Sequence, residues 1–188
     1  MVRSVLILLM FIAACDARDR RPDQGQQSTT QLKEASQPKV LASCTGANSE
    51  VCQIESDILE LTNRLRSQNG LAPLLLDPTM SRVARSWSNS QIRIGRISHD
   101  GFPHERLSAY QMMTRGRSRK SPRIISENVA RHTFMNGGQE HHIGSVFVDS
   151  WINSPGHLKN MRGPGTRIGI GVVRWGNTWV GTQIFHSF

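Results

Sequence analysis

No apolar run in these 188 residues can cross a bilayer as a helix, which needs about 20 residues. The longest, Ser4 to Ala14, stops well short. Cysteine is scarce: three residues, at 15, 44 and 52, none in the paired spacing of a zinc finger or ribbon. The sequence has no G-x-S-x-G, so Ser126 and Ser154 lack the strained elbow that serves a serine hydrolase. Acidic residues are outnumbered, 14 Asp and Glu against 23 Lys and Arg, which leaves a formal net charge of +9. Such an excess speaks to association with anionic surfaces and says nothing about fold. No internal repeat is present.

What is there begins with the first residues. Met1-Val2-Arg3 supplies a positive start, and Ser4 to Ala14 has the length and character of the apolar region of a secretory signal. Ile12-Ala13-Ala14-Cys15 resembles the lipobox of bacterial lipoproteins. That resemblance implies cleavage after residue 14 and lipidation of Cys15, hence an exported protein anchored to a bacterial membrane and facing periplasm or exterior. Several acyl chains together hold stably where one would not. Asp16 resembles the inner-membrane retention signal of enterobacterial lipoproteins. Cys44 and Cys52, separated by turn-forming residues in a chain bound for an oxidising compartment, read as a local disulfide.

Residues 16–43 are polar, cannot bury a core and read as a tether. The expected organisation is a signal peptide over 1–14, a lipidated tether with its local disulfide over 15–52, and a domain over 53–188. Ile54, Ile58, Leu61 and Leu65 fall at helical spacing, with Gly70 as the stop. Asp77-Pro78 opens a second helix as N-cap and first-turn proline, with Met80, Val83, Ala84 and Trp87 on its buried face and Gly95 at its end. Ile124 to Ala130 is a short apolar segment, read as a strand, that carries Glu127. Ile143 to Asn153 reads as a helix broken by Ser154-Pro155-Gly156. Arg167 to Trp175 alternates glycine with branched residues, and Gly176-Asn177 turns it into a return strand, Trp179 to Phe185. Trp175 and Trp179 flank that turn and are expected to pack across the strands. Helices ahead of a terminal hairpin indicate an α+β layer arrangement.

Four segments carry candidate chemistry: Ser98-His99-Asp100-Gly101, Ser126-Glu127-Asn128-Val129-Ala130, Trp151 to His157, and Ile168-Gly169-Ile170-Gly171-Val172. Singly, none is specific. In this order, behind the opening helix and Asn69-Gly70-Leu71-Ala72-Pro73-Leu74, they resemble the CAP superfamily, and within it the bacterial branch of exported SCP-domain proteins. The resemblance covers about residues 54–188. It implies an α-β-α sandwich with an antiparallel sheet and a surface cleft where two histidines face two glutamates. His99 matches the first histidine, Glu127 the first glutamate and His157 the second histidine. Ser154 stands where the second glutamate would be, which weakens any mechanism that needs a carboxylate pair.

Two imidazoles and one carboxylate make a ligand set for zinc or another divalent metal with open positions, and several family members bind zinc weakly. The same three residues would also serve as a plain hydrogen-bond network. Weaker candidates are His141-His142, and Asp149 with Asn153 on one helix face. Arg115, Arg117, Arg119, Lys120 and Arg123 form a basic patch. Outside the cytoplasm it would meet no nucleic acid. The fitting partner is an anionic envelope component (lipid headgroup, lipopolysaccharide or cell-wall polymer) or an envelope protein. Three functions stay open: a non-catalytic envelope binding module, a metal-dependent hydrolase with Glu127 as base, and a structural protein with a vestigial cleft.

Overall fold

Polar caps and left-handed glycines set the helix ends much as their positions in the sequence suggest. Asn48 caps the first helix by accepting the Val51 N–H at 2.8 Å. Asp77 caps the second by accepting those of Thr79 and Met80, and Gly95 ends it at φ 76°. The computed structural model describes residues 47–115, 117, 120–135 and 142–188. The signal segment, Cys15, Cys44, Arg119, His141 and the glycine loop at 136–139 lie outside the described residues.

The elements run α1 (Ser49–Gln68), β1 (Leu75–Leu76), α2 (Pro78–Ile94), α3 (His104–Thr114), β2 (Arg123–Thr133), α4 (Ile143–Ile152), α5 (Pro155–Met161), β3 (Arg167–Trp175) and β4 (Thr178–Ser187). Helix α1 starts before the expected border at Cys52. Val51 and Cys52 are buried with the core, so residues 49–52 belong to the helix and not to a tether. Two helices have no counterpart in the sequence reading. Apolar side chains on α3 follow no helical period and it has no side-chain cap, while α5 begins at the very Pro155 that reads as a helix breaker.

The sheet order is β1-β3-β4-β2. Its β3–β4 and β4–β2 pairings are antiparallel, whereas the two-residue β1 joins β3 in parallel. Side chains alternate to the two faces. Ile168, Ile170, Val172, Trp179 and Phe185 pack with α1 and α4 around Ile58, Phe147 and Trp151. On the other face Ile184 meets Met80, Val83 and Ala84 of α2 and Tyr110 of α3. The result is the expected α-β-α arrangement. Gly169 and Gly171 face α2, where an added Cβ would run into the backbone of Met80 and of Ala84 and Arg85.

Beyond the end of β1, the outer edge of β3 is capped by side chains. The Ile170 N–H donates to Ser81 Oγ (3.0 Å) and the Val172 N–H to Glu55 (2.9 Å), whose carboxylate also takes a two-pronged bond from Arg85 at 2.7 and 2.8 Å. An open strand edge is thereby closed to further pairing.

The hairpin register overturns the tryptophan expectation. Trp175 pairs with Thr178 and Trp179 with Arg174, so the two indoles fall on opposite faces. Trp179 is buried, Trp175 is 70% exposed, and Trp179 receives the Arg174 guanidinium instead, 5.1 Å from its ring.

Candidate functional site

Strand β2 is the last in the sheet, and the candidate residues gather along it. Glu127 faces α3. Its side chain is 1% exposed, and a carboxylate so buried requires compensation. Arg106 of α3, itself 2% exposed, supplies it with bonds of 2.7 Å to Oε2 and 3.2 Å to Oε1. The guanidinium lies 3.5 Å from the centre of the Trp87 ring, a cation–π contact that closes its other side. His99, in the loop after α2, places Nδ1 2.9 Å from Glu127 Oε1. Trp87, Arg106, Glu127 and His99 thus form one chain of contacts from the α2–α3 layer to the surface, where the His99 imidazole is half exposed.

His157 reaches the same edge from the opposite layer. It sits inside α5, three residues past the N-cap Ser154, and not in a loop after the last helix. A buried amide relay holds it there. Gln183 donates to Thr62 Oγ1 (2.9 Å) and accepts from Asn128 (3.0 Å). Asn128 also donates to the His157 carbonyl (3.2 Å) and accepts from Asn160 (2.9 Å), which donates in turn to the Glu127 carbonyl (3.2 Å). Arg66 fastens the loop beyond α5 by donating to the carbonyls of Met161, Gly163 and Gly165. Burial, and then repulsion from nearby His99, hold the His157 ring below the ordinary histidine value. Burial does the same to His132 under α4.

This sets a pH dependence. Both histidines fold with pKa values below their unfolded value, so acid protonates the unfolded chain first. Their contribution to stability is complete above the ordinary value of 6.5 and is lost as pH falls through the lower folded values. The thermal midpoint should be flat from pH 8 to 7 and drop below about pH 6.5, less steeply in His157→Gln. An unchanged midpoint down to pH 5 would count against both placements.

A three-ligand metal set is not what the geometry offers. Both Glu127 oxygens are committed to Arg106 and His99, and no group of three His, Cys, Asp or Glu that could hold a metal occurs among the described residues. The donors left for a divalent ion are the imidazoles of His99 and His157, with both Glu127 oxygens engaged elsewhere. They do not fit a closed tetrahedral centre. In such a site Glu127 would orient His99 without touching the ion. Ser154 contributes no side-chain cap to α5. Asp149 and Asn153 are exposed on α4, and His142 faces Asp57 and Glu60 across a separate recess. Of the basic residues, Arg115 and Arg117 line a recess of about 530 Å³ together with Arg82 of α2, which the sequence reading missed. Arg123 opens β2.

The family model described as the cysteine-rich secretory protein family, CAP, matches residues 59–185. The chain belongs to that family. It is 33% identical over 146 residues to the uncharacterized protein YkwD of Bacillus subtilis (strain 168), across 75% of this chain and 50% of that protein. The chain thus spans about half the length of that relative. Among solved structures, an outer surface protein of Borrelia burgdorferi superposes with a TM-score of 0.53 at 15% identity, covering 72% of this chain and 92% of that one. An extracellular protein containing an SCP domain from Bacillus anthracis superposes with a TM-score of 0.50 at 23% identity, over 71% and 40%. These two likenesses establish the CAP fold. Arg106, Asn160, Gln183 and Thr62 are residues of this CAP site that sequence reasoning passed over, and Trp87 and Asn128 were read without their roles in it. Only tertiary contact marks them, and such contact has no signature in an isolated arginine or amide.

Proposed function

We propose that this CAP protein is an exported, lipid-anchored, non-catalytic binding module of the cell envelope. The engagement of Glu127 carries the reading: a carboxylate pinned by Arg106 and His99 and shut away from solvent is not available to take a proton from water. With Ser154 at the second carboxylate position, the cleft offers two imidazoles and no free carboxylate. Zinc or another divalent ion would be a loosely held addition. The Arg82, Arg115 and Arg117 surface would meet an anionic lipid headgroup, lipopolysaccharide or cell-wall polymer.

Cosedimentation with isolated cell walls and with anionic vesicles, with and without zinc, tests this. The expected result is retention that falls several-fold in Arg115→Ala/Arg117→Ala, with no soluble fragments released from the envelope material. Zinc-dependent release that vanishes in His99→Ala would establish the hydrolase instead. Neither retention nor release would leave the cleft a structural remnant.

Export is supported by relatives described as outer-surface and extracellular proteins and by the lipobox-like Ala13-Ala14-Cys15. The buried Cys52 sulfur lies 3.8 Å from the carbonyl oxygen of Ala47, which follows Cys44 closely in the chain. The spacing of the two cysteines in a chain that carries an export-like signal supports the Cys44–Cys52 disulfide. A single mass-spectrometric experiment on envelope-extracted protein reads both claims. Cys15 should be the acylated N-terminus, and Cys44 and Cys52 should resist alkylation until reduced. An unmodified Cys15, or two freely alkylated thiols, would refute the respective claim. Closing so short a loop contributes about 2–3 kcal/mol in the chain-entropy picture.

A further inference from the structure

A further recess lies between the beginning of β2 and α5. Its volume is about 690 Å³, within the roughly 300–1,000 Å³ typical of ligand sites. Ile125, Leu158, Pro155 and Pro164 make its apolar walls, and Lys159 and Arg162 stand over them, both exposed. No carboxylate lines it, and among the described residues neither cationic side chain has an ion-pair or hydrogen-bond partner. Ser126, on the floor, has a buried hydroxyl with no hydrogen-bond partner among them, which is costly unless something supplies one.

We propose that this groove binds the C-terminal end of an apolar peptide, with the terminal carboxylate between Lys159 and Arg162 and the last side chain against Ile125, Leu158 and the two prolines. The chemistry of the lining selects this occupant. Two cations beside an apolar wall suit a group that is both anionic and apolar. A free phosphate would leave the apolar wall unused, and no aromatic ring lines the recess to stack a base. The recess opens along an edge strand, where an extended chain can lie and where the Ser126 hydroxyl meets a peptide carbonyl or amide. Prolines at two of the walls fix their backbone in advance, which lowers the ordering cost of binding. The groove does not depend on the reading of the His99 and His157 cleft.

The test is a titration of the isotope-labelled mature chain, carrying Cys15→Ser, with acetyl-Ala-Leu-Leu as its free acid, followed by amide NMR. Saturable shifts are expected at Ser126, Leu158 and Gly163, with affinity falling as salt rises. The C-terminal amide of the same peptide should bind about tenfold more weakly or worse, since a hydrogen bond to a charged group contributes about 1.5–3 kcal/mol. Lys159→Ala/Arg162→Ala, two exposed positions whose loss leaves the core intact, should abolish the shifts, and Ser126→Ala should weaken them. Equal binding of acid and amide, wild-type binding by the double variant, or shifts scattered over Arg82, Arg115 and Arg117 would overturn the proposal. Acetyl-leucine binding as tightly as the tripeptide would also overturn it, because the site would then take a free apolar carboxylate.

Discussion

Arg106→Leu is expected to lower the unfolding free energy by about 3–5 kcal/mol, the usual result of stranding one member of a buried ion pair. Glu127 would keep only the His99 contact at 2.9 Å and lose both guanidinium bonds inside the protein. The Trp87 ring would lose its cation at the same time. Urea unfolding reads the loss as a shift in midpoint at constant slope. Removing both charges, in Arg106→Leu/Glu127→Leu, should recover much of it, because an apolar pair of similar volume often replaces a buried ion pair at little cost. A double variant as unstable as the single would show that the pair is not energetically coupled. In the double variant, which removes the Glu127 carboxylate, the His99 ring should lose its fixed orientation, visible as averaging of its ring nitrogen signals.

Gly171→Ala should be nearly as damaging, although it adds one methyl group. The new Cβ would meet backbone atoms of Ala84 and Arg85, which cannot rotate away as a side chain end can. Helix α2 lies this close because Ser81, Ala84 and Ser88 on its sheet-facing side are small and the two serines bond directly to the strands. Ser88 Oγ is 2.8 Å from the Gly171 carbonyl and 2.8 Å from Thr182 Oγ1, and Ser81 Oγ accepts the Ile170 N–H. Overpacking costs about 1–3 kcal/mol where side chains can yield, and backbone contact places this case at or above the upper end. Lifting α2 would also disturb Trp87 and through it Arg106, so the site should loosen with the fold. A Gly171→Ala protein of wild-type stability would mean that α2 packs farther from β3 than described.

The legible parts of this molecule are those decided by neighbours in the chain. An aspartate followed by proline caps a helix wherever it occurs, because the cap bond spans two or three residues. Gly176-Asn177 between two branched runs closes a hairpin for the same local reason. His99, Glu127 and His157 stood out because their segments follow the order of a known family, and the structure sets Glu127 against His99, while burial, followed by repulsion from His99, lowers the protonation of His157. The reading left Glu127 as a metal ligand, a base or a member of a hydrogen-bond network. Its duty is set by Arg106, 21 residues away in sequence, and no spacing rule connects them.

Local pattern failed where tertiary contact overrode it. Helix α3 has no amphipathic stripe because its buried residues, Arg106 and Tyr110, are held by a carboxylate and by aromatic and polar neighbours instead of a continuous apolar face. Pro155 reads as a helix breaker, but it is an equally good first-turn residue, and Arg66 and the Asn128 relay fix the short helix that follows. Residues 167–172 announce a strand by themselves. That their glycines admit a helix is a fact about α2, which lies far earlier in the chain. The order of residues was enough for the caps, the hairpin, the basic surplus and the family. It was not enough to say which guanidinium answers the buried Glu127 and which cations stand beside an apolar groove. Burial and charge pairing arise between segments that the chain keeps far apart, so folding alone brings them about.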